Sequence, residues 1–200
     1  MKMNNKKLLF ISNHAAFFVS HRLNIFKESK KNGYKFHLIF GSPASKKMEK
    51  YAIQKLKKLK VEFTKFNYSN NSFSLANDLY ALIKMLHLII KYKPNIIHSA
   101  SPKANIFAGI LVRFLKNISL VMSFSGMGYF YTGKIVGLFF LFKKKIFENF
   151  LFFIFSKKKK KIIVQNTNDY YLLKKKFNIS NNDIIKIKGG SGIDLKKYSK

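Results

Sequence analysis

The chain has 200 residues, 48% of them hydrophobic, and this length suits one domain with a substantial core. It has no cysteine, which excludes disulfides, thiolate metal sites and a cysteine nucleophile. The net charge of +31 comes almost entirely from lysine, since Arg22 and Arg113 are the only arginines. Base readout depends on the planar fork of arginine, so the composition argues against a specific nucleic-acid partner.

The lysine excess has two explanations. Asparagine, isoleucine and phenylalanine are also abundant, and a strong coding bias would produce this composition. The charge would in addition attract an anionic membrane surface or a phosphorylated substrate. Composition alone leaves both explanations open.

Apolar runs and helical periodicities alternate along the chain. The runs predict strands at residues 7–12, 34–40, 61–66, 95–98, 118–124, 161–164 and 184–188. The stretches between them predict helices at about 20–32, 46–60, 75–92, 101–114, 134–156 and 169–177. This alternation is typical of an α/β protein with a doubly wound, Rossmann-like parallel sheet.

Three of these helices carry specific local signals. Ser101 and Pro102 open the helix at 101–114, with serine as N-cap and proline at the first position. In helix 46–60 the residues expected to face inward are Met48, Ile53, Leu56 and Leu59. Helix 75–92 carries one apolar stripe of Leu75, Leu79, Leu82, Ile83, Leu86 and Ile90, as amphipathic helices do.

The segment 135–161 is the most apolar part of the chain. Lys143, Lys144, Lys145 and Glu148 interrupt it, so neither apolar run reaches the roughly 18 residues that a spanning helix needs. One interpretation is an in-plane membrane helix whose flanking lysines at 157–161 meet anionic head groups. The other is a core helix with a solvated lysine tail. The many phenylalanines and leucines favour the membrane interpretation.

Ligands of parallel sheets bind outside the carboxyl ends of the strands. Polar and glycine residues gather at these ends and predict a substrate cleft without specifying a reaction. They are Asn13, His14, His21 and Arg22 after the first strand, Gly41 after the second, Ser99, Ser101 and Lys103 after the fourth, Ser125, Gly126, Gly128 and Tyr129 after the fifth, Gln165 and Asn166 after the sixth, and Gly190, Gly192 and Asp194 after the last.

Some of these residues suggest a particular chemistry. His14 and His21 suit hydrogen bonds to a sugar or phosphate, although a structural role is equally compatible with their positions. Lys103 lies in the first turn of a helix, where backbone N–H groups and the helix dipole favour an anion. Gly126 and Gly128 permit close backbone approach. His98 ends a buried strand and is expected to be a core histidine.

Other chemistries find no support. The first strand is followed by NHAAFF and not by the glycine-rich GxGxxG of dinucleotide binding, and no Walker, HExxH or GxSxG motif occurs. The chain has only eight carboxylates, with no close pair at a strand end. This argues against two-carboxylate hydrolysis and acidic metal sites, so neither a metal nor a cofactor is predicted.

Five stretches together carry a family resemblance: NHAAFFVSHR (13–22), KPNIIHSASPKANIFAGILVR (93–113), SFSGMGYFY (123–131), IIVQNTND (162–169) and GGSGIDLKKY (189–198). On these the chain resembles the N-terminal, acceptor-binding domain of family 4 glycosyltransferases, which have the GT-B fold. It is most similar to the bacterial branch that elongates lipid-linked sugars for capsule, O-antigen or N-glycan precursors.

The resemblance implies that the chain is one half of a GT-B enzyme. Residues 1–194 would be the acceptor domain, and 195–200 would start the linker to a C-terminal donor domain, which binds the nucleotide sugar. Transfer in this family retains configuration, usually without a metal. The acceptor side would be lined by Asn13, His14, His21, Arg22, Ser101, Lys103, Ser125, Gly126, Gly128 and Tyr129, and the cleft between the domains by Gln165, Asn166, Gly190, Gly192 and Asp194.

The chain also departs from the family pattern. The family's paired glutamates, eight positions apart, are missing, and Ala100 stands at the second position of an H-x-H turn. The leading hypothesis is the acceptor-binding half of a retaining glycosyltransferase acting on a polyprenyl-diphosphate-linked saccharide, doubtfully active alone. It would be cytoplasmic and peripheral on the anionic inner leaflet, with a donor domain as partner if that is separately encoded. The alternative is a non-catalytic, membrane-associated protein that binds the lipid-linked sugar.

Overall fold

The computed structural model describes residues 6–43, 45–68, 74–115, 117–127, 131 and 137–187. Its strands are β1 (Lys7–Ser12), β2 (Lys35–Phe40), β3 (Glu62–Lys65), β4 (Ile96–Ala100), β5 (Ser119–Phe124), β6 (Lys160–Val164) and β7 (Ile184–Lys186). Its helices are α1 (Ala15–His21), α2 (Leu23–Lys31), α3 (Lys46–Lys58), α4 (Leu75–Tyr92), α5 (Pro102–Arg113), α6 (Leu138–Phe155) and α7 (Thr167–Phe177).

The seven strands form one sheet in the order β3-β2-β1-β4-β5-β6-β7. Every neighbouring pair is parallel, so the predicted Rossmann-like sheet is confirmed. The strand order reverses between β1 and β4. In doubly wound sheets this switch point opens a crevice, because the two helices that follow these strands leave on opposite faces.

The two faces of the sheet carry separate cores. On one face α1, α2 and α3 pack over an aromatic group in which the Phe10 ring lies 5.0 Å from Phe18 and 6.3 Å from Phe36. On the other face α4, α5, α6 and α7 bury a larger apolar cluster that includes Leu9, Ile97 and Leu151. The faces are therefore covered unequally, three helices against four in the described part of the chain.

The helix predicted at 20–32 is wrong at its start. The structure has two helices here, α1 and α2, which meet at Arg22, where the backbone leaves the helical region with φ −129° and ψ 0°. Helix α1 begins at Ala15 because its first N–H groups find acceptors in the side chains of His14 and Glu49. The predicted end holds, since Gly33 has a φ of +76°.

The apolar pattern of α3 predicted its inward face correctly except at Met48. Met48 is 62% exposed, whereas Leu56 is buried and Ile53 and Leu59 pack against the core, and the buried Glu49 and Ala52 share this face. In α4 the predicted stripe exists, but four of its members face solvent, and the buried face consists of Ala81, Met85 and Ile89. Because α4 is apolar on most of its circumference, a stripe cannot identify the face that packs on the sheet. Within the described ranges, none of the helices combines the length and the hydropathy of a membrane span.

Candidate functional site

The switch point brings the ends of β1 and β4 together. Ser12, the last residue of β1, lies opposite Ala100, the last residue of β4. Helix α1 then packs on one face of the sheet and α5 on the other. The loops at residues 13–14 and 101–103 consequently flank one crevice at the carboxyl edge.

A hydrogen bond joins the two sides of this crevice, donated by Ser101 Oγ to Asn13 Oδ1. Ser101 is buried, with backbone angles φ +107° and ψ +153°, a region that suits glycine and costs other residues about 1–3 kcal/mol. Ser101 occupies the N-cap position of α5 with Pro102 directly after it, as predicted, but its side chain makes no cap hydrogen bond to α5. Two hydrogen bonds maintain this strained backbone conformation: the one from Ser101 to Asn13, and one from the Asn105 N–H to the Ser101 carbonyl at 2.8 Å.

His14 is held in one orientation at the start of α1. Its Nδ1 accepts the Phe17 N–H at 3.1 Å, so neutral His14 carries its proton on Nε2. The side chain keeps 25% of its surface exposed. Fixed in this tautomer, His14 offers an Nε2–H donor to a ligand in the crevice.

Glu49 of α3 holds the start of α1, directly after the loop at residues 13–14. No motif in the sequence indicated this role. The residue is 3% exposed, and its two carboxylate oxygens accept the N–H groups of Ala15 and Ala16 at 3.0 and 2.9 Å. The only signal available was its place on the inward side of a lysine-rich helix. A buried carboxylate thus fills the N-terminus of α1, where nucleotide-binding folds receive a phosphate.

Arg22 is a buried cation between α1 and α2. It is 5% exposed, its guanidinium lies 5.6 Å from the Phe17 ring centre, and one amino group donates to the His21 carbonyl at 3.3 Å. Burial lowers its pKa below the usual value. Its Nε has no acceptor, and no carboxylate of the described residues pairs with it. An isolated buried charge is costly, so this position favours an anionic partner.

A polar network beneath the crevice ties β4 to β5. His98 Nε2 lies 2.8 Å from Ser123 Oγ, and Ser99 Oγ donates to Asn105 Oδ1 at 2.7 Å. Asn105 Nδ2 donates to the Ser123 carbonyl at 3.1 Å. The pKa of His98 is lowered to about 3, mainly by burial and to a smaller extent by the positive charge of Arg22. His98 is therefore a neutral core histidine, as predicted.

Lys103 lies in the first turn of α5 but is 8% exposed. Its ammonium forms an ion pair with Asp78 of α4 at 2.7 Å, and it lies 5.7 Å from the Phe107 ring centre. The sequence contained no indication of Asp78 as its partner. The lysine thus connects α4 to α5, and its predicted contact with an acceptor stays a prediction.

The β5 loop is anchored by Asp169 of α7, which sequence reasoning also missed. Asp169 Oδ2 accepts the Met127 N–H at 3.1 Å and an Asn166 Nδ2 hydrogen at 2.7 Å. Asn166 in turn caps α7 by accepting the Asp169 N–H at 2.7 Å. Ser125 is exposed and Gly126 half-buried beside this anchor. The other predicted residues in this region are Gln165, half-buried at the end of β6, and Gly128, Tyr129, Gly190, Gly192 and Asp194, which lie outside the described residues.

His21 lies apart from the carboxyl edge. It is the last residue of α1, about 10 Å along the helix from its start. Its ring stacks on Phe17 at 5.0 Å, and its Nδ1 lies 2.6 Å from Ser20 Oγ. The structure therefore brings Asn13, His14 and Ser101 together and places His21 on the flank of α1.

A cavity of about 640 Å³ lies at the opposite, amino edge of the sheet. Its lining includes Lys6, Leu8, Asn24, Glu28 and Ile96, and no predicted site residue contributes. The convergence of polar groups, and not cavity size, therefore locates the candidate site.

A doubly wound parallel sheet with a polar crevice at its switch point defines an α/β domain of the Rossmann-like class, one half of the GT-B type. The family model described as Glycosyl transferase 4-like matches residues 7–166. The chain therefore belongs to the glycosyl transferase 4-like family, and the predicted resemblance is confirmed. No curated protein is significantly similar to it in sequence.

Solved structures share this fold. A glycosyltransferase from Rickettsia africae ESF-5 is 18% identical with a TM-score of 0.60, and the match covers 92% of this chain and 43% of that one. UDP-GlcNAc 2-epimerase from Methanocaldococcus jannaschii is 14% identical with a TM-score of 0.60, and the match covers 90% of this chain and 45% of the epimerase. MurG from Acinetobacter baumannii is 10% identical with a TM-score of 0.56, and the match covers 96% of this chain and 47% of MurG. The chain thus spans less than half the length of these proteins, and identities this low show the fold alone.

Proposed function

We propose that the chain is the acceptor-binding half of a retaining glycosyltransferase, which moves a sugar from a nucleotide sugar to a polyprenyl-diphosphate-linked saccharide. The family match over residues 7–166 supports the reaction class. The observation that carries the proposal is the built crevice at the switch point, where a strained Ser101 is bonded to Asn13 beside an oriented His14. Strain of this kind is concentrated at functional sites.

The crevice suits a sugar better than a nucleotide. Asn13, His14 and Ser101 supply an amide, an imidazole Nε2–H and a hydroxyl, which are the groups that hydrogen-bond sugar hydroxyls. The phosphate position at the N-terminus of α1 is filled by Glu49. On the β5 side Ser125 adds an exposed hydroxyl, next to the half-buried Gly126. The nucleotide sugar would therefore be bound mainly by a second domain.

Arg22 is our candidate for the diphosphate of the acceptor. Its guanidinium is shielded from water and has a free Nε–H, and no carboxylate of the described residues neutralises it. Charge-assisted hydrogen bonds to phosphate oxygens are about twice as strong as neutral ones and match the guanidinium fork. Lys103 on the α5 side is already neutralised by its ion pair with Asp78, so Arg22 is the cation that the proposal assigns to the diphosphate. No metal is needed to hold the acceptor in this arrangement.

The proposed place of action is the inner leaflet of the plasma membrane. Helix α6 exposes Phe139, Phe142 and Ile146 and carries three lysines at 143–145, as the in-plane interpretation of segment 135–161 requires. Phe147 and Leu151 on its other side are buried against the sheet, so α6 also serves the core. The buried side of α6 agrees with the core-helix interpretation, and its exposed apolar side supports the proposed membrane contact.

The test is calorimetric titration of the 200-residue chain with farnesyl-diphosphate-linked N-acetylglucosamine. We expect saturable binding that Arg22→Gln weakens about tenfold or more, the loss of one charge-assisted contact. Arg113→Gln is the matched control, since this arginine is exposed on α5 and should leave binding unchanged. Equal affinity for the two variants, or no saturable binding by the parent, would contradict the proposal.

A transfer assay with the same probe separates the alternative function. A protein that only presents a lipid-linked sugar would bind the probe and release it unchanged when a donor domain and nucleotide sugars are added. Transfer of a hexosyl or N-acetylhexosaminyl group under these conditions would establish the enzyme.

A further inference from the structure

A second serine–asparagine pair lies at the carboxyl edge of the sheet, beside the pair that joins Ser101 to Asn13. Ser42, in the loop after β2, donates a side-chain hydrogen bond at 3.0 Å to Oδ1 of Asn67, in the loop after β3. Ser42 is half-buried and Asn67 is exposed. Both pairs connect the loops of neighbouring strands, because the sheet order on this side runs β3-β2-β1-β4. The edge therefore carries two hydroxyl–amide pairs in one row.

A backbone hydrogen bond joins the two pairs. The Gly41 N–H donates to the Asn13 carbonyl at 2.8 Å, and Ser42 follows Gly41 directly. A Cβ on Gly41 would lie 2.8 Å from the same carbonyl oxygen, so this close approach of the two loops requires glycine. Neighbouring strands of a sheet are about 5 Å apart. The two pairs are therefore separated by a distance comparable to the width of one sugar ring.

A buried tyrosine supports the second pair. Tyr68 is 2% exposed, and its carbonyl accepts the Ser42 N–H at 2.6 Å. Its hydroxyl donates to the Ser12 carbonyl at the end of β1, and its ring centre lies 5.4 Å from that of Phe107 in α5. Burial raises the pKa of the Tyr68 hydroxyl well above its usual value, so this donor keeps its proton. The core thus fixes the positions of Ser42 and Asn67 relative to the end of β1.

The remaining hydrogen-bonding groups of the second pair match sugar hydroxyls. Because Asn67 Oδ1 accepts from Ser42, the Asn67 amide presents its two Nδ2 hydrogens and Ser42 Oγ presents its lone pairs. Sugar hydroxyls both donate and accept, so uncharged groups of both kinds suit them. The Ser101–Asn13 pair offers the same combination of an amide and a hydroxyl. A row of two such pairs therefore suits two consecutive sugar units.

We propose that Ser42 and Asn67 form a second sugar subsite, so that the acceptor is a saccharide of at least two units lying along the carboxyl edge. One unit contacts Asn13, His14 and Ser101 in the crevice, and the neighbouring unit contacts the Ser42–Asn67 pair. The inference rests on the proposed function, since it concerns the saccharide of the same acceptor. It adds one requirement to that function, namely that a second sugar contributes to binding.

The test is calorimetric titration of the 200-residue chain with two probes, farnesyl-diphosphate-linked N-acetylglucosamine and farnesyl-diphosphate-linked N,N′-diacetylchitobiose. We expect the parent chain to bind the disaccharide probe about threefold to tenfold more tightly, which corresponds to one or two neutral hydrogen bonds. Asn67→Ala should remove most of this preference and leave the affinity for the monosaccharide probe unchanged. Asn24→Ala is the matched control, because Asn24 is an exposed asparagine at the amino edge of the sheet.

A conservative substitution tests the role of the amide hydrogens. Asn67→Asp keeps an oxygen that accepts from Ser42 but loses both Nδ2 donors, so it should lose the preference for the disaccharide as Asn67→Ala does. Equal affinity of the parent for the two probes would overturn the inference, and so would an Asn67→Ala variant that keeps the preference.

The two probes separate this inference from the proposed function. Binding of the monosaccharide probe without any gain from the second sugar would contradict the second subsite alone. No saturable binding of either probe would contradict the proposed function and the second subsite together.

Discussion

Asn13 and Ser101 lie 88 positions apart in the sequence and are joined by a side-chain hydrogen bond at the carboxyl edge. The bond connects the loop after β1 to the loop after β4, the two strands between which the sheet reverses its order. It also holds Ser101 at a positive φ of 107°. The floor of the candidate site is therefore set by a long-range contact and not by either loop alone.

The strain at Ser101 predicts unequal effects of two small substitutions. Ser101→Ala loses the bond to Asn13 and keeps the unfavourable φ, so the free energy of unfolding should fall by about 1–2 kcal/mol. Ser101→Gly loses the same bond but relieves the strain, and it should stay within about 0.5 kcal/mol of the parent. Urea denaturation measures both. A glycine variant less stable than the alanine variant would contradict this account.

Glu49 should be unusually sensitive to a conservative change. Glu49→Gln replaces one carboxylate oxygen by an amino group that faces the N–H of Ala15 or Ala16, so stability should fall by about 2 kcal/mol. Glu28→Gln is the control: Glu28 forms an exposed pair with Lys31, and its loss should cost less than about 0.5 kcal/mol. Denaturation midpoints at pH 7 compare the two. A similar loss of stability in both variants would mean that the hydrogen bonds from α1 to Glu49 stabilise the protein no more than the exposed Glu28–Lys31 pair does.

Gly109 lies where α5 packs closely against α6. A methyl group there would lie 2.5 Å from Ile154 Cβ and Cγ2, so Gly109→Ala should destabilise by about 1–3 kcal/mol despite the higher helix propensity of alanine. Adding Ile154→Ala to the Gly109→Ala variant should reduce the free energy of unfolding less than Ile154→Ala does in the parent. The reason is that the methyl group added at position 109 fills part of the space that the isoleucine side chain leaves. Strictly additive losses in a double-mutant cycle would exclude the proposed contact.

The buried His98 predicts a loss of stability on mild acidification. Its pKa is about 3 in the folded state, against an ordinary value of 6.5. Between these values the unfolded chain takes up the proton and the folded one does not, so stability falls by roughly 1.4 kcal/mol per pH unit well below pH 6.5. His98→Gln should flatten this dependence between pH 6.5 and 5, while the exposed His87→Gln should not. An unchanged slope in the first variant would show that His98 is protonated in the folded protein.

Local sequence pattern was sufficient to predict those elements whose structure depends on neighbouring residues. The bounds of β1 and of α4 and the parallel sheet follow from apolar runs and periodicity. Asn13, His14 and Ser101 were predicted to share an edge because parallel strands all end there. These features depend on residues close together in the sequence or on the fold class.

The features that the sequence did not predict are contacts between residues far apart in the chain. The start of α1 depends on Glu49, more than thirty positions away, and Lys103 is neutralised by Asp78 of another helix. The buried face of α4 depends on which side fits the sheet and not on which side has most leucine. Such pairings carry no periodic signal, and a buried acid cannot be told from an exposed one in a lysine-rich helix.

The carboxylate of Glu49 has one last consequence, for ligands that carry a phosphate. In nucleotide-binding proteins of this architecture the N-terminus of the first helix receives a phosphate group, and the turn before it is rich in glycine. Here Glu49 accepts the N–H groups of Ala15 and Ala16 at that place, and the turn before them is Asn13-His14. A phosphate there would meet a buried negative charge and find these donors occupied, so we expect free nucleotides to bind poorly at this helix.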